Sequence, residues 1–315
     1  RMVYPLVGYG YAVILPDLAG YANFGAAGNP PSAYAQASDV ARSTLDGARA
    51  LKKLFPALDD KVVLVGHSQG GHSALSALAL AESYGTAAPI VGAAVYAPLW
   101  LSQRSWGAVL YEPVGKTYKL AESSVGAISV WYHYTQAELL DGPGAGRKMF
   151  AADKQDAVEA FVKNECWGST ELSKVATYAH ELFDPTFVSE ISLPAAAGGE
   201  CSAEICQRWV DRYIADRPHL TGAAATTPIL LAYGLKDTTI PPNRMKCALD
   251  RLDQDNAKLT TCIEPEQSHG GIVSARGEYV ADWIASVALG GAAPAACTAN
   301  ETAITEECAT PPPND

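Results

Sequence analysis

Three residues of this chain have the types and the spacing to carry out nucleophilic chemistry. Ser68 sits in "VGHSQGG", directly after the apolar run Val62 to Val65 and before the small-residue stretch Ser73 to Leu80. Asp237 sits in "YGLKDTTIPP" and His269 in "EPEQSHGGI". A serine hydroxyl is a weak nucleophile at neutral pH; it needs a base within hydrogen-bond reach, and the base needs an orienting acid. A strand, G-x-S-x-G and a helix together form a nucleophile elbow, a strained turn that exposes the hydroxyl. Gly66 and Gly70 are expected at positions with no room for a side chain. Asp237 follows an apolar strand-like run and a glycine turn, and His269 lies in a loop ahead of two glycines. Each motif has a plainer reading: a glycine-rich turn, a turn aspartate or helix N-cap, a solvated histidine. Their conjunction, in the order serine, acid, histidine and each just after a strand, favours a catalytic triad.

The remaining candidates fit less well. His67 and His72 flank the serine and are expected to point elsewhere, while His133, His180 and His219 fall in the stretch read below as an inserted cap. Asp17 also follows a strand-like run, but its place before the nucleophile strand suits a structural loop role. A tetrahedral oxyanion needs backbone N–H donors, and the residue after the nucleophile, Gln69, supplies one. A second donor is not identifiable; the N–H of Leu18 or Ala19 is the alternative within the chain. No step requires a metal or a cofactor, and no cysteine pair has zinc-ligand spacing.

Elements that alternate between strand and helix must position these residues. "GYAVILPDLAG" (Gly10 to Gly20) predicts a short buried strand, and Ser38 to Phe55 an amphipathic helix with Ser38 as N-cap. The elbow strand and helix follow. Further strands are expected in Pro89 to Pro98, Thr227 to Asp237 and Asn256 to Pro265, and a last helix in Gly277 to Leu289. That alternation means a mostly parallel α/β sheet flanked by helices. Between Pro98 and Thr227 helical signals dominate, in Ala151 to Asn164, Ser169 to Leu182 and Ala203 to Ala215. About 125 residues exceed any simple connection, so residues 99–226 read as an inserted helical cap or lid. Residues 1–98 and 227–290 then form the core, and 291–315 a proline-containing tail. Trp100, Trp106, Tyr111, Trp131, Tyr132 and Trp167 concentrate in or near the cap. They serve either as its own core or as an acyl pocket, with Trp106 and Tyr111 the candidate substrate contacts.

The composition excludes several classes of function. Hydrophobic residues make up 48% of the 315 and charged ones 18%, which suits a folded core. A formal charge of -11 leaves no basic face for nucleic acid. No apolar run reaches the roughly 20 residues of a membrane span, although transient contact with a lipid interface is compatible with the sequence. Seven cysteines suggest disulfides and a secreted or periplasmic setting. The nearest pairs are Cys201 with Cys206, Cys247 with Cys262, and Cys297 with Cys308, which leaves Cys166 over.

These motifs resemble the α/β-hydrolase fold, and within it the secretory lipase family of lipase-A-type serine esterases. The resemblance rests on "GYAVILPDLAGYANFG", "YAQASDVARSTLDGARALKKL", "VGHSQGGHSAL", "GLKDTTIPP", and "SHGGI" leading to "YVADWIASVALGG". It implies Ser68 as nucleophile, Asp237 as acid, His269 as base and Gln69 as oxyanion donor, with the cap as a lid over an acyl-binding pocket. It implies hydrolysis of a small-molecule or lipid ester. A peptidase or acyltransferase on the same triad is the rival reading, and a non-catalytic hydrolase-fold binding module a more distant one. The family's opening strands and first oxyanion loop have no counterpart here, so a preceding N-terminal segment that pairs with this chain is expected.

Overall fold

The computed structural model describes residues 2–20, 32–102, 110, 119–122, 125–165, 169–196 and 201–297. Among the described residues four strands, β1 (Val62–His67), β2 (Ile90–Tyr96), β3 (Ile229–Gly234) and β4 (Leu259–Glu264), form one parallel sheet in the order β1-β2-β3-β4. Register aligns Gly66 with Val95, Val95 with Leu231, and Leu231 with Thr261. Every strand therefore points its carboxyl end the same way, and the loops that carry Ser68, Asp237 and His269 all leave from that carboxyl end. The continuous apolar runs are explained by burial on both faces: all six residues of β3 are buried.

The pleat divides the core. Ala94 and Tyr96 of β2, Leu230 and Ala232 of β3, and Cys262 of β4 pack with Val280, Trp283 and Ile284 of the helix Gly277–Leu289. Gly92 is a glycine because a Cβ there would stand 3.1 Å from the Trp283 ring. Ala93 and Val95 alternate to the other face, where the helix Gln69–Tyr84 packs on β1 and β2. Behind it lies the helix Ala37–Leu54, whose buried stripe is Val40, Ala41 and Leu45. That helix begins at Ala37, so Ser38 lies inside its first turn instead of capping it.

The expected strand in Gly10 to Gly20 is absent. Tyr11 to Leu18 has neither strand nor helix, although Tyr11 and Val13 pack against the core cluster and Leu15 is 65% exposed. Apolar, β-branched residues promised burial, but no neighbouring strand among the described residues offers this stretch a ladder.

The chain divides into two compact units. The sheet unit comprises residues 1–16, 37–100 and 217–315, and the helical unit comprises 17–36 and 101–216. Within the helical unit Val125–Asp141 is apolar nearly all round and buried from Val125 to Ala137 apart from Ile128. It packs against Gln155–Asn164, where Trp131 stacks on Phe161 at 5.5 Å. The helix expected in Ser169 to Leu182 is broken into two 3-10 turns, Glu171–Lys174 and Ala179–Leu182. Tyr178 is extended between them, bridged to Lys119, and the Glu181 carboxylate accepts the Thr177 and Tyr178 N–H groups. These bonds replace the helical ones that Tyr178 would have made.

Two disulfides are described, Cys201–Cys206 and Cys262–Cys297. The first was expected. The second replaces the expected pairs Cys247–Cys262 and Cys297–Cys308: β4 places Cys262 in the core against the segment after Gly277–Leu289, with Cα atoms 5.1 Å apart. Cys247 is also disulfide-bonded. Cys166 lies outside the described residues.

Candidate active site

Ser68 follows β1 with φ 59° and ψ −123°, a left-handed conformation that non-glycine residues rarely hold. Four backbone bonds over-determine it. Its N–H donates to the Tyr96 carbonyl at 2.9 Å, and its carbonyl accepts from Gly71, His72 and Leu99 at 3.0, 3.2 and 3.0 Å. The strain is fixed by the sheet and the helix it joins.

The crowded glycines are Gly66 and Gly71. A Cβ on Gly66 would fall 1.9 Å from the Gly70 carbonyl oxygen, and one on Gly71 would fall 2.9 Å from Pro98. Gly70 has open space around its Cβ position, contrary to the sequence expectation. The turn therefore needs its glycine at 66 for the elbow's closure and at 71 for the approach of the loop after β2.

Asp237 and His269 meet directly. The His269 Nδ1–H donates to Asp237 Oδ2 at 2.7 Å. The other carboxylate oxygen, Oδ1, accepts the Thr239 and Ile240 N–H groups, both at 2.8 Å. The Asp237 side chain is only 1% exposed and that of His269 18%. Three donors around a carboxylate removed from water satisfy it and fix its rotamer. With Nδ1 protonated toward Asp237, His269 keeps Nε2 as a free base position. The two loops are tied together below the pair: the Lys236 N–H donates to the Gln267 carbonyl at 3.0 Å. A Cβ at Gly234 would strike that same oxygen at 2.0 Å, which is why β3 ends in glycine.

Sequence reasoning set His67 aside, and the structure corrects this. Its Nε2 lies 2.8 Å from the His269 carbonyl oxygen, and the two rings are 4.5 Å apart. Burial, and after it the neighbouring charge of His269, hold the His67 pKa below its ordinary value. Only its position beside the serine hinted at this contact. His72 is buried in the helix. Gln69 opens that helix at the elbow. Among the described residues no hydrogen bond joins the Ser68 hydroxyl to His269; such contacts tighten when substrate is bound.

The aromatic residues read either as the cap's own core or as a pocket lining are placed as follows. Trp131 and Tyr132 are buried in the helical unit's own interior, 5% and 0% exposed. Trp100 is 1% exposed in the sheet unit. Trp106, Tyr111 and Trp167 lie outside the described residues. The helical unit does hold a cavity of about 570 Å³, but Gln136, Arg208, Asp211, Arg212 and Asp216 give it a polar, charged lining.

A family model described as "Alpha/beta hydrolase family" matches residues 2–283. The chain belongs to the α/β-hydrolase family. Among curated proteins none matches it. Solved structures similar to it include the rice cell wall degrading esterase LipA from Xanthomonas oryzae, at 18% identity. That match covers 84% of this chain and 68% of that one, with a TM-score of 0.58. Candida antarctica lipase A in its closed state is 17% identical over 87% of this chain and 61% of its own, with a TM-score of 0.57. At these identities the likeness shows the α/β-hydrolase fold. This chain spans about three-fifths of that lipase A chain.

Proposed function

We propose that this α/β hydrolase is a serine carboxylester hydrolase that works through an acyl-enzyme on Ser68. The observation that carries the reading is the 2.7 Å bond from His269 to a buried, triply bonded Asp237, beside a serine held in an elbow. Ser68 attacks the ester carbonyl while His269 Nε2 takes its proton. Asp237 holds the imidazole in the tautomer that leaves Nε2 free and stabilises the imidazolium that forms. The Gln69 N–H, at the opening of the helix, stabilises the oxyanion. The imidazolium then protonates the departing alcohol. Water, deprotonated by His269, attacks the acyl-enzyme; the acid leaves and Ser68 recovers its proton.

Residues 1–98 and 227–290 take the catalytic core in this reading, and 99–226 a cap over an acyl-binding pocket. A small-molecule or lipid ester is the substrate. No described helix is long and apolar enough to cross a membrane. The two disulfides support a secreted or periplasmic setting.

The test is turnover of nitrophenyl esters of rising chain length by the parent and by Ser68→Ala. Loss of a triad serine lowers turnover by about 10⁶. The variant should be folded and inactive at every chain length; activity within tenfold of the parent would remove Ser68 from the mechanism.

A further inference from the structure

Among the described strands β2 and β3 lie between β1 and β4. At roughly 4.8 Å per strand, the ends of β1 and β4 stand about 14 Å apart. A base in the loop after β4 can serve a nucleophile after β1 only if that loop reaches back across the ends of β2 and β3 and is held there. Asp237 fixes the His269 ring from the β3 loop. It does not tie His269 to the strand that carries Ser68.

His67 supplies that tie. It is the last residue of β1 and precedes Ser68 directly. A carbonyl oxygen only accepts, so the 2.8 Å contact requires the proton on His67 Nε2, which donates to the His269 backbone. The bond joins residues 202 apart in sequence and is partly buried. The rings lie at 4.5 Å with planes tilted by 44°. Resting on the triad reading above, we propose that His67 is a positioning residue that pins the His269 loop to the nucleophile strand. His269 is then held at two points, its ring by Asp237 and its backbone by His67.

The same contact sets an electrostatic condition. His269 becomes positive each time it takes the serine proton. A neutral His67 ring tolerates this, whereas a charged one would oppose it at 4.5 Å. The titratable groups facing His67 are His269 and Asp237, and burial is the largest influence that keeps His67 neutral.

Substitutions at His67 separate the contributions. His67→Phe keeps a ring and removes the donor; His67→Gln removes the ring and keeps an N–H donor of similar reach. Loss of an orienting bond behind a catalytic group costs about 10- to 100-fold. His67→Phe should therefore lower kcat by about that factor, with KM within threefold of the parent and thermal unfolding little changed. His67→Gln should recover kcat to within about fivefold, since the donor returns. If His67→Phe does not accumulate as folded protein, His67→Leu carries the same expectation. Ser68→Ala is assayed alongside. An active Ser68→Ala would remove the triad reading itself. An inactive Ser68→Ala beside a donor-less variant within threefold of parental kcat would remove only the role of His67, as would equal losses in the Phe and Gln variants.

Discussion

The 2.7 Å contact between His269 and Asp237 and the positive φ of Ser68 are properties of single residues, yet each depends on a glycine that admits another backbone. Gly66 is the sharpest case, because its missing Cβ would overlap the Gly70 carbonyl at 1.9 Å. Backbone cannot swing aside as a flexible side chain can. Gly66→Ala should cost about 3 kcal/mol, the upper end for forced overpacking, and should abolish ester turnover by moving Ser68. Gly8→Ala, at a position with open space, is the control and should behave as the parent. Urea unfolding and ester assays on both variants check this; a Gly66→Ala enzyme with parental activity would mean the elbow relaxes at no cost. Gly66 was legible as a site of close approach, whereas Gly70, expected to be another, has open space, and Gly234 was read only as part of a turn. His67 was not legible, because direction on a tight turn depends on which loop folds back onto it, and that loop lies 202 residues away.

At the scale of elements, continuous apolar runs such as Ile229–Gly234 coincide with β1, β2 and β3, and the expected stretch Asn256 to Pro265 contains the less apolar β4. The same signal failed for Tyr11 to Leu18, since apolarity reports burial and not the partner that makes a ladder. Ser169 to Leu182 failed for the converse reason: local bonds from Glu181 displaced helical ones. In the helical unit, Val125–Asp141 buries His133 completely, with Nδ1 bonded to the Ser129 carbonyl at 2.7 Å and Nε2 to the Tyr213 hydroxyl at 2.9 Å. Burial pushes its pKa down to about 3, with the Arg212 charge acting in the same direction. Unfolded, the same histidine titrates near its ordinary value of about 6.5. Between those two pH values the unfolded state binds one more proton, so stability falls as pH drops below about 6.5. The slope is up to about 1.4 kcal/mol per pH unit, or about 2 kcal/mol between pH 7 and pH 5. Urea unfolding at the two pH values should show that loss. His133→Gln, less stable at pH 7, should lose much less on acidification; an unchanged slope would assign the pH dependence to other groups.

At the scale of the whole molecule, the Cys262–Cys297 disulfide closes a loop of sequence separation 35 that contains the His269 segment and the helix Gly277–Leu289. Such a loop is worth about 3–4 kcal/mol through the unfolded chain. The double variant Cys262→Ala/Cys297→Ala should lose about that much stability while keeping ester turnover at low temperature, because the Asp237–His269 pair needs neither sulfur. An unchanged melting temperature would show that the bond constrains nothing. Sequence separation alone suggested other partners; only the placement of β4 against the segment after the last helix reveals this one. The acyl-enzyme on Ser68 can be trapped. The protein is mixed with a nitrophenyl ester, quenched in acid during the first turnovers, digested, and mapped by mass spectrometry. One acyl group per chain is expected, on the peptide that contains Ser68. Ester hydrolysis with no acyl group on Ser68, or with the acyl group on another residue, would contradict it.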